Sequence, residues 1–111
     1  MPLSKKARVE VYIPDLFGSQ YQELLKILER EFTYTFGGCT INRELSGSFQ
    51  SRTGLPVPDR ISLIYTDTAF DLEESLPLIS VYMDDLRQSA FRMLNEEAIL
   101  VAGLPVYHSE P

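Results

Sequence analysis

The stretch from Phe36 to Tyr65, FGGCTINRELSGSFQSRTGLPVPDRISLIY, constrains the fold more than any other part of the chain. A helical run ends on Phe36, and Gly37-Gly38 supplies the left-handed residue that a helix C-cap favours, with room for the chain to turn. Two strand-like segments follow, separated by a turn-rich region. With a strand-like run before the first helical run, and a helical and a strand-like run after the hairpin, the order reads β-α-β-β-α-β. That order sets topology and leaves chemistry open, because many unrelated functions share it.

The individual segments carry their own signals. Arg8–Ile13 alternates, with Val9, Val11 and Ile13 on one side and Arg8, Glu10 and Tyr12 on the other, as a half-buried strand does. Pro14 removes a ladder donor and ends it. Ser19 with Gln22 has the spacing of a capping box. Tyr21, Leu24, Leu25, Leu28, Phe32 and Phe36 then recur at helical intervals, opposite Glu23, Lys26, Glu29 and Arg30, so one stripe is buried. The second strand is read over Cys39–Leu45. Arg43 falls on its apolar side, tolerable only near a rim where it can snorkel, which makes this an edge strand. Ser46–Pro58 holds two Gly, two Pro and three Ser and is read as a loop or irregular hairpin tip, with Phe49 folded back as its anchor.

Strand three, Arg60–Thr66, is read with Ile61, Leu63 and Tyr65 toward the core and Ser62, Ile64 and Thr66 on the other side. The second helix carries Leu72, Leu76, Ile79, Met83, Leu86, Ala90 and Met93 at helical spacing. It either begins at Asp71, which has a capping-box partner in Glu74, and bends at Pro77, or begins after Ser75 with Pro77 in its first turn. The second option fits proline better. Ala98–Tyr107, AILVAGLPVY, is almost wholly apolar, as in a strand covered on both faces; Gly103 and Pro105 call for a bulge or an end that leaves the sheet.

Two β-α-β units in this order, with strands two and three antiparallel, give an α+β ferredoxin-like sandwich with strand order 4-1-3-2 and both helices on one face. The 111 residues suffice for one core, so one domain is expected over 7–109, with 1–6 disordered. The opposite sheet face would show Glu10, Tyr12, Thr40, Asn42, Glu44, Ser62, Ile64 and Thr66 beside part of the fourth strand. Tyr12, Ile64, Leu100 and Leu104 make it too apolar to be simply solvated, and sheet-to-sheet self-association, a homodimer in its simplest form, is the expected solution.

Composition narrows the partners. With 16 acidic and 10 basic side chains the net charge is −6, so a nucleic acid would meet repulsion. A recognition sheet of the RRM kind would also need aromatic and basic residues together, whereas Tyr12 and Tyr65 are read on opposite faces. The Lys5-Lys6-Arg8 cluster reads as a solubilising end. One cysteine excludes an intrachain disulfide, no Cys/His spacing suggests zinc, and no apolar run approaches the roughly 20 residues of a membrane span, so a cytoplasmic, soluble protein without cofactor or membrane contact is expected.

Catalytic groups are sparse. His108, the lone histidine, reads as a surface residue at a strand end, and Cys39, at a helix C-terminus instead of an N-terminus, reads as an inert thiol. Glu73-Glu74, Asp84-Asp85 and Glu96-Glu97 are adjacent pairs that diverge on a helix and make no shared-proton dyad. Arg43 and Arg52, with Asn42, flank the second hairpin and are the candidates for gripping a small or anionic ligand. No Walker or Gly-x-Gly-x-x-Gly pattern accompanies them. For an enzyme, Tyr12, Glu10 and His108 are the candidates for proton transfer in a sheet-face pocket.

The turn FGGCT at 36–40, Gly47 with Phe49, RISLIYTD at 60–67 and EEAILVAGLPVYH at 96–108 together resemble a loose set of small uncharacterised prokaryotic ferredoxin-like proteins, over residues 9–108. The resemblance implies the fold. A fainter similarity connects the chain to PII-like regulatory proteins, whose nucleotide-binding loop also lies between the second and third strands; here Ser46–Pro58 is short and lacks their basic phosphate-binding residues, so nucleotide binding is not implied. The reading favoured is a homo-oligomeric binding or interaction module, with a small dimeric α+β barrel enzyme acting on a small organic substrate as the alternative.

Overall fold

Alternation of small and branched apolar residues with polar ones builds the first strand, β1 (Leu3–Pro14), and the computed structural model describes residues 3–14, 19–94 and 99–109, without the side chains of residues 49 and 57–59. The helix α1 (Ser19–Phe36) follows, then β2 (Thr40–Gln50), β3 (Pro56–Asp67), α2 (Leu76–Leu94) and β4 (Leu100–Ser109). All strand pairs are antiparallel and the order is β2-β3-β1-β4, the expected 4-1-3-2 arrangement of a ferredoxin-like α+β fold.

The core lies between the sheet and the two helices. Ala7, Val9, Val11 and Ile13 of β1 meet Leu24, Leu25, Leu28 and Phe32 of α1 and Ile79, Leu86, Ala90 and Leu94 of α2, all buried. Helix α1 therefore buries the stripe its periodicity predicts, and Gly37 ends it in the left-handed region (φ 93°), its N–H still donating to the Thr33 carbonyl at 3.0 Å. Helix α2 starts at Leu76 with Pro77 in its first turn; Asp71 caps the preceding turn by accepting the Glu74 N–H at 3.1 Å. Gln22 caps nothing in the described structure and instead accepts a hydrogen bond from Arg43 Nη1 at 3.0 Å, the snorkelling contact expected of an inward-side arginine on edge strand β2.

Four expectations are corrected. The face of β3 is the reverse of the sequence reading. Antiparallel partners share a face, and Val9↔Thr66, Val11↔Ile64 and Ile13↔Ser62 put Ser62, Ile64 and Thr66 under the helices. These three are buried, and Thr66 Oγ1 donates to the Gly38 carbonyl at 2.6 Å. Ile61, Leu63 and Tyr65 consequently face the open side, with Tyr12.

The second correction concerns the hairpin. Pairing continues from Leu45↔Ile61 to Gln50↔Pro56, which leaves only residues 51–55 as the turn. Strand β1 pairs with β3 no further than Ile61, so beyond it β2 and β3 form a two-stranded ribbon whose outer β3 edge needs no donors. Pro56 and Pro58 fit there for that reason. The ribbon lengthens the molecule to a radius of gyration of 15.3 Å, above the roughly 13 Å of a compact chain this size. The anchoring role expected of Phe49 lies outside the described side chains, as does the pair Glu96-Glu97.

Third, β4 neither bulges at Gly103 nor leaves the sheet at Pro105, because pairing to β1 is continuous from Tyr12↔Leu100 to Leu3↔Ser109. A side chain at 103 would collide with Met83 of α2, its Cβ falling 2.8 Å from the sulfur, and proline is tolerated on an edge strand. Nor is β4 covered on both faces: Leu100 and Tyr107 are exposed. Fourth, Leu3–Lys6 belong to β1 and pair with Val106–Ser109, so the strand begins well before Arg8, and Lys5 Nζ meets Glu73 Oε1 at 2.8 Å.

Candidate functional site

Register collects one alternating set of side chains from the central strands, charged and aromatic groups among them, onto the face away from the helices. Lys6, Arg8, Glu10 and Tyr12 of β1 lie between Ile61, Leu63, Tyr65 and Asp67 of β3 and Leu100, Ala102, Leu104, Val106 and His108 of β4. On β2, Thr40 and Asn42 share this face opposite Tyr65 and Leu63, and a one-residue irregularity between Asn42 and Leu45 turns Leu45 onto it as well. Glu44 absorbs that irregularity with φ 63°, so it leaves the face the sequence assigned to it and pairs loosely with Arg60 at 3.7 Å.

Asp67 organises one end of the face. Arg8 holds it with two parallel bonds, Nε to Oδ1 at 2.6 Å and Nη2 to Oδ2 at 3.0 Å, and lays its guanidinium on Tyr65 with Cζ 4.2 Å from the ring centroid. His108 Nε2 reaches the same Oδ2 at 3.1 Å. The hydrogen bond from Arg8 holds the Asp67 carboxyl below the usual carboxylate range against the opposing effect of partial burial, and His108 adds to the lowering; the same bond raises Arg8.

Beside this triad, the Tyr12 hydroxyl donates to Glu10 Oε1 at 2.9 Å, and that bond, with burial, pushes the phenol up. Tyr12 is therefore a proton donor to a carboxylate and not a base at neutral pH. All three residues considered for proton transfer, Tyr12, Glu10 and His108, do share one face, but His108 is engaged with Asp67 while Tyr12 and Glu10 engage each other.

The hairpin candidates do not converge. Asn42 is exposed on the open face, Arg43 points to the helix side and bonds Gln22, and Arg52 stands at the turn beyond Gln50↔Pro56. Between 43 and 52 the strand runs far enough, at about 3.3 Å per residue, to keep the two guanidinium groups apart. Cys39 is half-buried against the core. Among the described residues no three His, Cys, Asp or Glu side chains cluster as a metal site, and no helix is long and apolar enough to cross a membrane.

Sequence reasoning missed Asp67, Arg8 and Tyr65 as a unit. A signal existed: Asp67 shares parity with Ile61, Leu63 and Tyr65, so facing those three inward would have carried a carboxylate with them. The correction also places Tyr12 and Tyr65 on one face, which removes one of the two arguments against an RRM-like surface; the net charge of −6 remains the other.

No family model and no curated protein matches the sequence. Solved structures do match in fold. CPII, a nitrogen regulatory PII-like protein from Thiomonas intermedia K12 bound to ADP, AMP and bicarbonate, superposes with a TM-score of 0.54 at 17% identity over 99% of each chain. The divalent cation tolerance protein CutA1 from Thermus thermophilus gives 0.57 at 15% identity, covering 96% of this chain and 88% of that one. CutA1 from Oryza sativa gives 0.60 at 17%, covering 96% and 84%. At such identities the likeness shows the fold.

Proposed function

We propose that this protein is a small homo-oligomeric binding module that self-associates through its open sheet face and takes a small, anionic ligand at the β2–β3 hairpin. One observation carries the first half. The face joins Ile61, Leu63, Tyr65, Leu100 and Leu104 with a balanced set of charges, Lys6 and Arg8 against Glu10 and Asp67, and the strongest of these are already paired within the chain. An apolar face whose Arg8–Asp67 pair brings its own partner can be covered at low desolvation cost.

Light scattering over a range of protein concentrations is expected to give a mass above that of the 12.7 kDa monomer. Leu63→Glu, which puts an unpaired carboxylate at the middle of the face, is expected to shift the assembly to monomer with unchanged circular dichroism. A wild-type monomer at all concentrations, or an assembly indifferent to Leu63→Glu, would sink the reading.

For the ligand, support comes from Arg52, which is exposed and makes no hydrogen bond or ion pair among the described residues, and from the fold shared with CPII, whose structure holds ADP, AMP and bicarbonate. Nucleoside phosphates at millimolar concentration are expected to raise the thermal midpoint, and Arg52→Ala to abolish the rise. No shift with wild type, or an equal shift with the variant, removes this half of the proposal.

A second reading rests on the Tyr12–Glu10 hydrogen bond: a small enzyme using Glu10 as proton acceptor and Tyr12 to hold or donate the proton. Any turnover found should then fall at least 100-fold in Glu10→Gln and less in Tyr12→Phe, whereas equal rates in all three proteins would exclude the pair.

A further inference from the structure

Away from the sheet, α1 and α2 diverge over a groove of about 330 Å³. Its floor is apolar, made by the buried Leu24, Leu28 and Leu86, and Ile27 stands exposed on its wall. The rim is different in kind. Glu31 and Asp85 face the groove from the two helices, with the hydroxyls of Tyr82 and Ser89, and no basic side chain lines it.

The two carboxylates are in different states of use. Glu31 accepts from the Tyr82 hydroxyl at 2.9 Å and from Thr35 Oγ1 at 3.1 Å, both on Oε1, which leaves Oε2 for another donor. Burial first, and then this bond, pushes the Tyr82 phenol up, so it stays a donor that keeps Glu31 oriented. Asp85 makes no ion pair or hydrogen bond among the described residues, whereas its neighbour Asp84 is engaged by both Arg87 and Gln88 at 2.7 Å. Arg30 lines a neighbouring depression that shares Ile27 and Glu31 with the groove; it does not line the groove itself and makes no ion pair with Glu31 among the described residues.

We propose that this groove is a binding site for a primary ammonium ligand with a short apolar body, the hydrocarbon lying on Leu24, Leu28 and Leu86 and the ammonium hydrogen-bonding Asp85 and Glu31 Oε2. Charge complementarity selects the class. An anion would face two carboxylates, and a neutral apolar molecule would bury the same floor without gaining a bond to either carboxylate. The volume lies at the small end of ligand pockets, which suits a molecule of modest size. The site is on the opposite side of the protein from the sheet face and does not depend on self-association.

The test is a titration of the intact protein with n-hexylammonium chloride, n-hexanol and ammonium chloride, followed by the methyl resonances of Leu24, Leu28 and Leu86. Hexylammonium is expected to shift them saturably, at least tenfold more tightly than hexanol or ammonium alone. Asp85→Asn and Glu31→Gln should each weaken it severalfold, and the pair at least tenfold, with unchanged thermal midpoints. Asp85→Asn removes only an exposed charge, so it remains informative even if Glu31→Gln perturbs the helix contact. Equal binding of hexanol and hexylammonium, indifference to both substitutions, or shifts confined to the sheet face would each overturn the site. So would an absence of saturable binding accompanied by loss of the assembly in Asp85→Asn, which would assign the groove to a second copy of the chain.

Discussion

Phe32→Ala is expected to lower the free energy of unfolding by about 3–5 kcal/mol, the range for emptying a fully buried aromatic site. Phe32 is 0% exposed and is the largest of the fully buried side chains among the described residues. Its ring lies 6.3 Å from that of Phe36, which in turn meets Tyr82 edge-on at 5.4 Å, so one truncation loosens the packing of α1 on α2 as well as on β1. Domains of this size are held by roughly 5–15 kcal/mol in total. The variant should therefore unfold at a midpoint on the order of 15 °C lower or more, with a sizeable unfolded fraction at about 37 °C. Phe32→Leu, which refills most of the volume, should lose under half as much. Urea titrations of the three proteins at equal concentration check this; a loss below about 1.5 kcal/mol for alanine would mean that Phe32 is not the centre of the core.

The helices and β1 were legible because burial there follows simple periodicity: Val9, Val11 and Ile13, and Leu24, Leu28 and Phe32, are apolar where they must be. Strand β3 was not, since it reverses the usual signal. Its inward residues are Ser62, Ile64 and Thr66, and its outward ones Ile61, Leu63 and Tyr65 are the more apolar set. Small hydroxyl side chains suffice under the helices once their polar atoms are bonded, as Thr66 is to Gly38, while the larger apolar groups lie on the open face. The ribbon was hidden by its prolines, which forbid a central strand but not an unpaired edge. Of the candidate site, the sequence brought Tyr12, Glu10 and His108 into view one by one; the Arg8–Asp67 pair that His108 joins depends on strand register, which no local pattern states. Arg43 and Arg52 were grouped because they are near in sequence, yet a long hairpin separates residues that a short loop would have joined.

Asp67→Asn is expected to be the largest single change on the open face, costing about 2 kcal/mol at neutral pH, because it strips a half-buried guanidinium of its charge partner while keeping the shape. The pH dependence gives the more specific test. Arg8 and His108 hold the folded-state pKa of Asp67 below the value it has in the unfolded chain. Above the ordinary carboxylate range both states are ionised and the full stabilisation is present. As pH falls from about 4 through the lowered folded value, the unfolded chain takes up the proton first and the contribution drains away. Wild type should therefore be more stable than Asp67→Asn from neutral pH down to about 5, and the margin should shrink steadily below that as Asp67 protonates. Taking the difference between the two proteins cancels the other carboxylates of this acidic chain, which titrate in both. Urea unfolding at one fixed low protein concentration keeps self-association from entering the comparison. A margin that stays constant down to pH 3, or that is absent at pH 7, would mean that the two short Arg8–Asp67 bonds place the side chains without stabilising the fold, and the open face would then lose its claim to be a pre-paired surface.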